Sequence, residues 1–516
     1  MTGFRRLALA VPGALAAIVA APALAAYICH PDPAGTRRLT LGGAAERYLL
    51  EGPHVSVAVS TRAGCNVVSW NTLTGLHRTT GAGCLSLLGR NLSAPAGLRA
   101  AVTPANDLRP DMLDVFRGSQ RIASWPLPAR PRALHVAAGY ALFTAADGGA
   151  YALRLHDGRV AALGAAVPGD DPQINEVGAV FAERKTYTNT TRDRLEFVPR
   201  SGIESELRRD GRPLRTGGAV RSLAMDGPRV ALAVRDSTGR CDRVLYWNVL
   251  RAPVQRISAA DGPTCVPGRP TGISNVAIGG FRTEWLAESG RQSTIVVGSP
   301  RCQEWVVRRL LRGPAGEHVV AMAADGRTLA FGVTEQQREL RGLASVDVVA
   351  GKFSPRAILT GRVQPVAIAV RGGVVATALA NGTVDVRTVS GRRIADLRVG
   401  DARAIALDAG RLVVLRPARL DVYDLSSGAR ERTIATPRVT ASRLDVQYGI
   451  AVLAAGRHAL AIDLTSGREA VVGSAAAKLL GVAIERPGVA FASTAANRGI
   501  AKFVPLARVE ALLGRS

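Results

Sequence analysis

The sequence predicts an all-β protein: a β-propeller of about eleven four-stranded blade units, arranged as two propellers. Three observations predict it. One phrase recurs along most of the chain: an apolar run alternating with period two, a small polar pair ending in Gly, then a second apolar run. Its turn glycines keep a regular interval, 37–40 residues through Gly313, Gly351, Gly391, Gly428 and Gly467, and 40–44 through Gly75, Gly118, Gly158 and Gly202. A second phrase, a strand pair of the form "VAMAADGRTLAFGV", precedes the turns. Period-two alternation marks half-buried strands, and Gly supplies the positive φ of a tight hairpin. Sheets of about four short strands every forty residues must bury their faces against one another, which a ring of blades achieves.

The chain of 516 residues opens on "MTGFRR", an apolar stretch, and an A-x-A pattern ending at Ala25. This reads as a secretory signal peptide over residues 1–25, cleaved after Ala25. An uncleaved N-terminal anchor is the alternative, weakened by Pro12 and Pro22. No later segment holds about 18 uninterrupted apolar residues, so no membrane span is expected in the mature chain. Export makes the cell envelope or the exterior the expected location.

Residues 26–217 carry about four blade units and residues 218–516 about seven. Five plus six is an alternative division. A hydrophobic fraction of 47% excludes wholesale disorder, and an aromatic fraction of 4% leaves the core to Val, Leu, Ile and Ala. Two units share a further feature: Cys65 stands five residues before Trp70, and Cys241 six before Trp247. These are corresponding places in two blades, with a one-residue bulge or a looser start in the second copy.

"AADGRTLAF" resembles the corresponding phrase of WD40-like and TolB-like propellers, and "VYDLSSG" resembles the strand end of a WD40 blade with Tyr423 in place of Trp. "GRCDRVLYW", "PTC" and "SPRCQEW" together resemble a group of exported actinobacterial propeller-repeat proteins without an assigned activity. The resemblance covers most of residues 40–510 and implies blades, with no catalytic residue. The chain lacks the G-H and W-D dipeptides of true WD40 repeats, so their hydrogen-bonded tetrad is not implied.

Six cysteines in an exported chain read as disulfides before metal ligands. Cys65 with Cys84, and Cys241 with Cys265, each flank a strand, a turn and a strand, and each pair is expected to bridge a blade edge to the linker behind it. Cys29 and Cys302 have no assigned pairing. No metal site is expected, because no two of the seven histidines lie at H-x-H or H-E-x-x-H spacing. No G-x-S-x-G, phosphate loop, calcium loop or sialidase box occurs, and no cofactor is expected. The loop "PGDDPQINE" offers Asp170, Asp171 and Glu176 as a metal or acid/base group, against its reading as a solvated inter-blade loop.

The net charge of +25 rests almost wholly on scattered arginines, with only four lysines. It fits surface solvation or an anionic envelope partner; export makes nucleic acid a poor candidate. No acidic or histidine position is expected to recur from blade to blade. The functional expectation is therefore a non-enzymatic binding scaffold for a protein, peptide or envelope polymer. The alternative is a propeller enzyme, such as a polysaccharide lyase, glycosidase or quinoprotein, with its site in the central channel.

Overall fold

The computed structural model describes residues 32–515 except 81–83, 85–97, 168–169, 188–189, 208–212, 237–241, 251–264, 267–268, 271, 280–281, 290–291, 302–303, 313–316, 336–343, 351–354 and 438–442. Among them the strands form nine four-stranded and two three-stranded antiparallel sheets and one two-stranded ladder. The repeated turn glycines do what the sequence asks of them: Gly391, Gly428 and Gly467 have φ of 92°, 71° and 78°. Beside them Asp424 and Asp463 fold their carboxylates over the turn, accepting from the backbone N–H groups of Ser427 and Thr465 at 2.7 and 2.8 Å. These are Asx turns, which fix the hairpin before packing begins.

Seven sheets follow one another in cyclic order. Their inner strands are Gly218–Asp226, Gly272–Gly279, Glu317–Asp325, Pro365–Arg371, Ala404–Asp408, Leu444–Gln447 and Leu479–Glu485. Each touches the next, and the last touches the first. A closed circle of antiparallel sheets around one axis is a β-propeller, the fold class the repeats predict.

The circle is closed by a strand from its own beginning. Leu214–Arg215 pairs with Ala501 and Ile500 on the edge of the last sheet, whose other strands are Leu479–Glu485, Gly488–Ala495 and Arg498–Pro505. The N-terminal part uses the same device: Arg37–Thr40 pairs with residues 194–197 of Thr190–Pro199. Both closures cover an edge that would otherwise expose unpaired backbone groups.

The last strand of each part then runs into a helix, Arg200–Leu207 and Leu506–Leu513. Here one expectation is corrected. The repeat interval places Gly202 at a hairpin, yet it sits inside the first helix, and the strand that should follow it comes from Arg37–Thr40 instead. Its lack of a side chain serves close packing, since a Cβ there would lie 2.4 Å from the Ala34 carbonyl oxygen.

The two tryptophan phrases occupy equivalent places. Trp70 faces Val55 and Asn71 faces His54, as Trp247 faces Val230 and Asn248 faces Arg229, at the end of the third strand of each sheet. Both tryptophans are buried in apolar clusters. The ladder from Arg229 to Arg235 has no register shift, so the extra residue of the second copy is not within it; Cys241 itself lies outside the described residues.

The N-terminal and C-terminal sheets share a core in which Leu113, Phe143 and Tyr151 pack with Leu232, Trp247 and Phe503. Polar contacts reinforce it: Arg486 Nη1 reaches Asp111 Oδ2 at 2.6 Å, and Arg515 Nη2 donates to the Leu108 carbonyl at 3.1 Å. No helix among the described residues is long and apolar enough to cross a membrane.

Candidate functional site: the central channel of the C-terminal ring

The seven inner strands enclose a cavity of about 330 Å³. Small residues dominate its wall, with Ala277, Ala323, Ala369 and Ala406 contributed by successive strands. Its two ends differ.

At one end the strands finish on Asp226, Gly279, Asp325, Arg371, Asp408, Gln447 and Glu485, the residues just before each hairpin. An acid thus recurs at one position in four of seven sheets, which corrects the expectation that none does. A second recurrence lies on the third strands, where Asp385 and Asp421 are buried against arginines: Arg387 at 2.6 Å and Arg416 at 3.0 Å.

Two of the ring-end acids, Asp325 and Asp408, act as clasps between neighbouring sheets. Asp325 accepts the Gly372 N–H at 2.7 Å, and Asp408 accepts those of Tyr448 and Gly449 at 3.2 and 2.7 Å. Asp445, two residues before the ring end, accepts the Ile484 N–H at 2.9 Å. Each bond ties one sheet to the next, and carboxylate acceptors make such bonds strong.

Arg371 crosses this end of the channel like a bolt. From the fourth sheet its Nη1 donates to the Val446 carbonyl of the sixth at 3.2 Å, and its Nη2 reaches Glu485 Oε1 of the seventh at 3.4 Å. Gln447 Nε2 donates to the other Glu485 oxygen at 3.1 Å. Burial opposes the charge on Arg371, but Glu485, Asp445, Asp325 and Asp408 hold its pKa above the usual arginine range. Burial is also the main cause pushing Glu485 up to about 8, against the pull of Arg371.

The other end lies about 17 Å away, five residues back at a strand's rise. There the register slips at one position in five of the seven inner strands, making Arg221, Ser274, Val320, Val366 and Leu480 the extra residues of β-bulges. Bulges re-aim side chains at sheet rims. Val320 is 45% and Val366 50% exposed, and both line the cavity together with Arg403. The channel is therefore open at an apolar and arginine-bearing mouth and bolted at its acidic end.

The acidic loop found in the sequence lies elsewhere, among the N-terminal sheets. Asp170 is fixed there: its Oδ2 accepts the hydroxyl of buried Tyr48 and, at 2.8 Å, the Ala182 N–H, while its carbonyl accepts Thr144 Oγ1 at 3.0 Å. Burial raises its pKa to about 6. Asp171 is exposed, and Glu176 pairs with Arg200 at the surface. His135 Nδ1 accepts the Ile174 N–H at 3.1 Å, and burial lowers its pKa against a raising effect of Asp171. His318 is the second residue of the inner strand Glu317–Asp325 of the other ring. No hydrogen bond of the described residues links these acids and histidines to one another. No group of three His, Cys, Asp or Glu among the described residues is placed to hold a metal ion.

Because folding raises the Asp170 pKa above its unfolded value, the stability this group contributes is fully present below about pH 4 and is lost as pH rises through about 6. Asp170→Asn keeps the acceptor oxygen and removes the charge. It is expected to flatten the stability profile between pH 4 and 6 and to gain on the order of 2 kcal/mol at pH 7. Denaturation midpoints at four pH values check this; parallel profiles for the two proteins would refute it.

Cys65 and Cys84 form a disulfide, with Cα atoms 6.1 Å apart, tying the third strand of the first N-terminal sheet to the segment after its fourth. Cys29, Cys241 and Cys302 lie outside the described residues, and Cys265 starts a two-residue strand.

Arg371, Arg443 and the ring-end acids were missed in the sequence. The x-D-G of "AMDGPRV" and "AADGRTL" and the L/V-D-V of "LDVY" and "VDVR" were the available signals.

No family model matches the chain, and no curated protein matches it. Several solved structures resemble it in part. Sqt1 of Saccharomyces cerevisiae is 11% identical with a TM-score of 0.40, covering 57% of this chain and 98% of that one. A chain of a mitotic checkpoint complex is 15% identical at 0.43, covering 57% and 91%. The WD40 β-propeller domain of Doa1 is 12% identical at 0.42, covering 58% and 97%. The class of this protein is set by its own sheets: an all-β propeller whose ring encloses a channel open at one mouth.

Proposed function

We propose that the chain is an exported, non-enzymatic interaction scaffold that takes its partner at the open mouth of the C-terminal ring. The observation that supports this most is the contrast between the two channel ends. The acids at one end are occupied by backbone donors and by Arg371, whereas Val320 and Val366 at the other stand exposed at the cavity's rim. Rigid sheets holding uncovered side chains around a funnel suit binding. The partner is a protein, a peptide or an anionic envelope polymer. In this reading residues 1–25 are a cleaved export signal, residues 26–217 a four-blade propeller and residues 218–516 a seven-blade one.

The test is capture from envelope extract by the full mature chain and by a Val320→Asp, Val366→Asp variant, each at low and high salt. The variant is expected to lose its captured partner at both salt concentrations, while the wild type loses only the fraction held by charge. Equal capture by the two proteins would place the interaction away from this mouth.

A further inference from the structure

One charged group on the channel wall is left over when the clasps are accounted for. Arg443 lines the cavity one residue before Leu444–Gln447 begins. It lies at the level of Ser222 and Asn275 on the far side, four residues before the ring end of each strand. Its side chain makes no hydrogen bond and no ion pair among the described residues, although it is partly withdrawn from solvent. Asp445, two positions along the same strand, does not relieve it, since its oxygens accept the N–H groups of Val446 and Ile484, both at 2.9 Å. Burial without a counter-charge pushes the Arg443 guanidinium's pKa down.

A guanidinium kept half out of water without a partner costs stability, and an apolar side chain of similar length would cost less. Such costs collect where a ligand completes the arrangement. The surroundings define the ligand's charge. Arg403, one residue before the neighbouring strand and also on the cavity wall, adds a second cation near the mouth, while at the far end Asp325 and Asp445 already surround Arg371. Across the channel Ser222 Oγ donates to Asn275 Oδ1 at 3.0 Å, and Ala321, Ala367 and Ala404 line the cavity with small side chains.

We propose that Arg443 is the anchor of an oxyanion site inside the channel, where a carboxylate or phosphate group introduced through the Val320–Val366 mouth sits on its guanidinium. The planar fork of donors suits either group. The site uses the channel of the preceding reading, but a free small oxyanion would satisfy it with no macromolecular partner at all.

The experiment is calorimetric titration of the full mature chain with three probes: inorganic phosphate, succinate and an acetylated hexaglutamate peptide. It is run on the wild type, Arg443→Met, Arg443→Lys and Arg398→Met, the last removing an exposed arginine of an outer strand. At least one probe is expected to bind one-to-one and to raise the wild-type melting temperature. Arg443→Met should weaken it about tenfold or more, Arg443→Lys by less, and Arg398→Met not at all. Binding of the peptide alone identifies an acidic chain as the source; binding of phosphate or succinate identifies a small molecule. Arg443→Met should melt no lower than the wild type, because it removes a cost. No binding by any probe, equal loss in Arg398→Met, or a marked fall in the Arg443→Met melting temperature would overturn the proposal. Envelope capture that survives Arg443→Met but fails in the Val320→Asp, Val366→Asp variant would leave the scaffold standing and remove the oxyanion site.

Discussion

Replacing Arg371 by Met is expected to destabilise the C-terminal ring by about 3–5 kcal/mol, the cost of leaving buried carboxylates without their counter-charge. Arg371 is the cation that Glu485, Asp445, Asp325 and Asp408 act on together, and it joins three sheets through Val446 and Glu485. Met preserves most of its length and packing, so the loss isolates the charge and its hydrogen bonds. The defect should deepen as pH rises, because each carboxylate that ionises adds repulsion. The Glu485 pKa is raised on folding, so its contribution is full below about 4.5 and is lost as pH rises through about 8. A Glu485→Gln protein should therefore hold its stability between about pH 4.5 and 8, where the wild type declines. Guanidinium denaturation at pH 6 and pH 9, followed by tryptophan fluorescence, reads both effects. An Arg371→Met protein as stable as wild type at both pH values would mean that the bolt is not formed.

Removing the Cys65–Cys84 disulfide by a double Cys→Ser substitution is expected to cost about 3 kcal/mol in the N-terminal sheets, as closing a loop of this size restricts the unfolded chain. The loss is read as a lower guanidinium denaturation midpoint of the double variant under non-reducing conditions, and an unchanged midpoint would contradict it. Non-reducing peptide mapping supplies the covalent check: a Cys65 peptide joined to any cysteine but Cys84 would contradict the structure. The same map tests the expected Cys241–Cys265 bridge.

The parts legible in the sequence were those set by local chemistry. Gly391, Gly428 and Gly467 announce their turns because each needs positive φ within a few residues of an Asp or Ser that stabilises the bend. The Cys65–Cys84 disulfide was legible because the two cysteines flank a strand, a turn and a strand. The closing strands were not, since Arg37–Thr40 pairs with a strand more than 150 residues away and contains nothing that names its partner. Gly202 misled for a related reason: its sequence context is that of a turn, but close packing against Ala34 and the closing strand make its segment a helix.

The candidate site was hidden by register. Asp226, Asp325, Asp408 and Glu485 share a level only when the inner strands are aligned at their hairpins. Arg371 stands at the same level as a cation among acids. Nothing separates Arg443 from the other scattered arginines until its strand is placed on the channel wall. Asp170 showed the reverse: its pairing with Asp171 drew attention in the sequence, and its oxygens are used to hold three strands together.

The most direct test of a one-mouthed channel is to find where a partner touches the ring. A photo-crosslinking amino acid is placed at position 366 in one protein and at position 449 in another, and each is exposed to the same envelope extract. Position 366 is expected to yield a discrete crosslinked product that excess unlabelled protein competes away, and position 449, beside the bolted end, to yield none. Crosslinking at 449 with nothing at 366 would contradict the account.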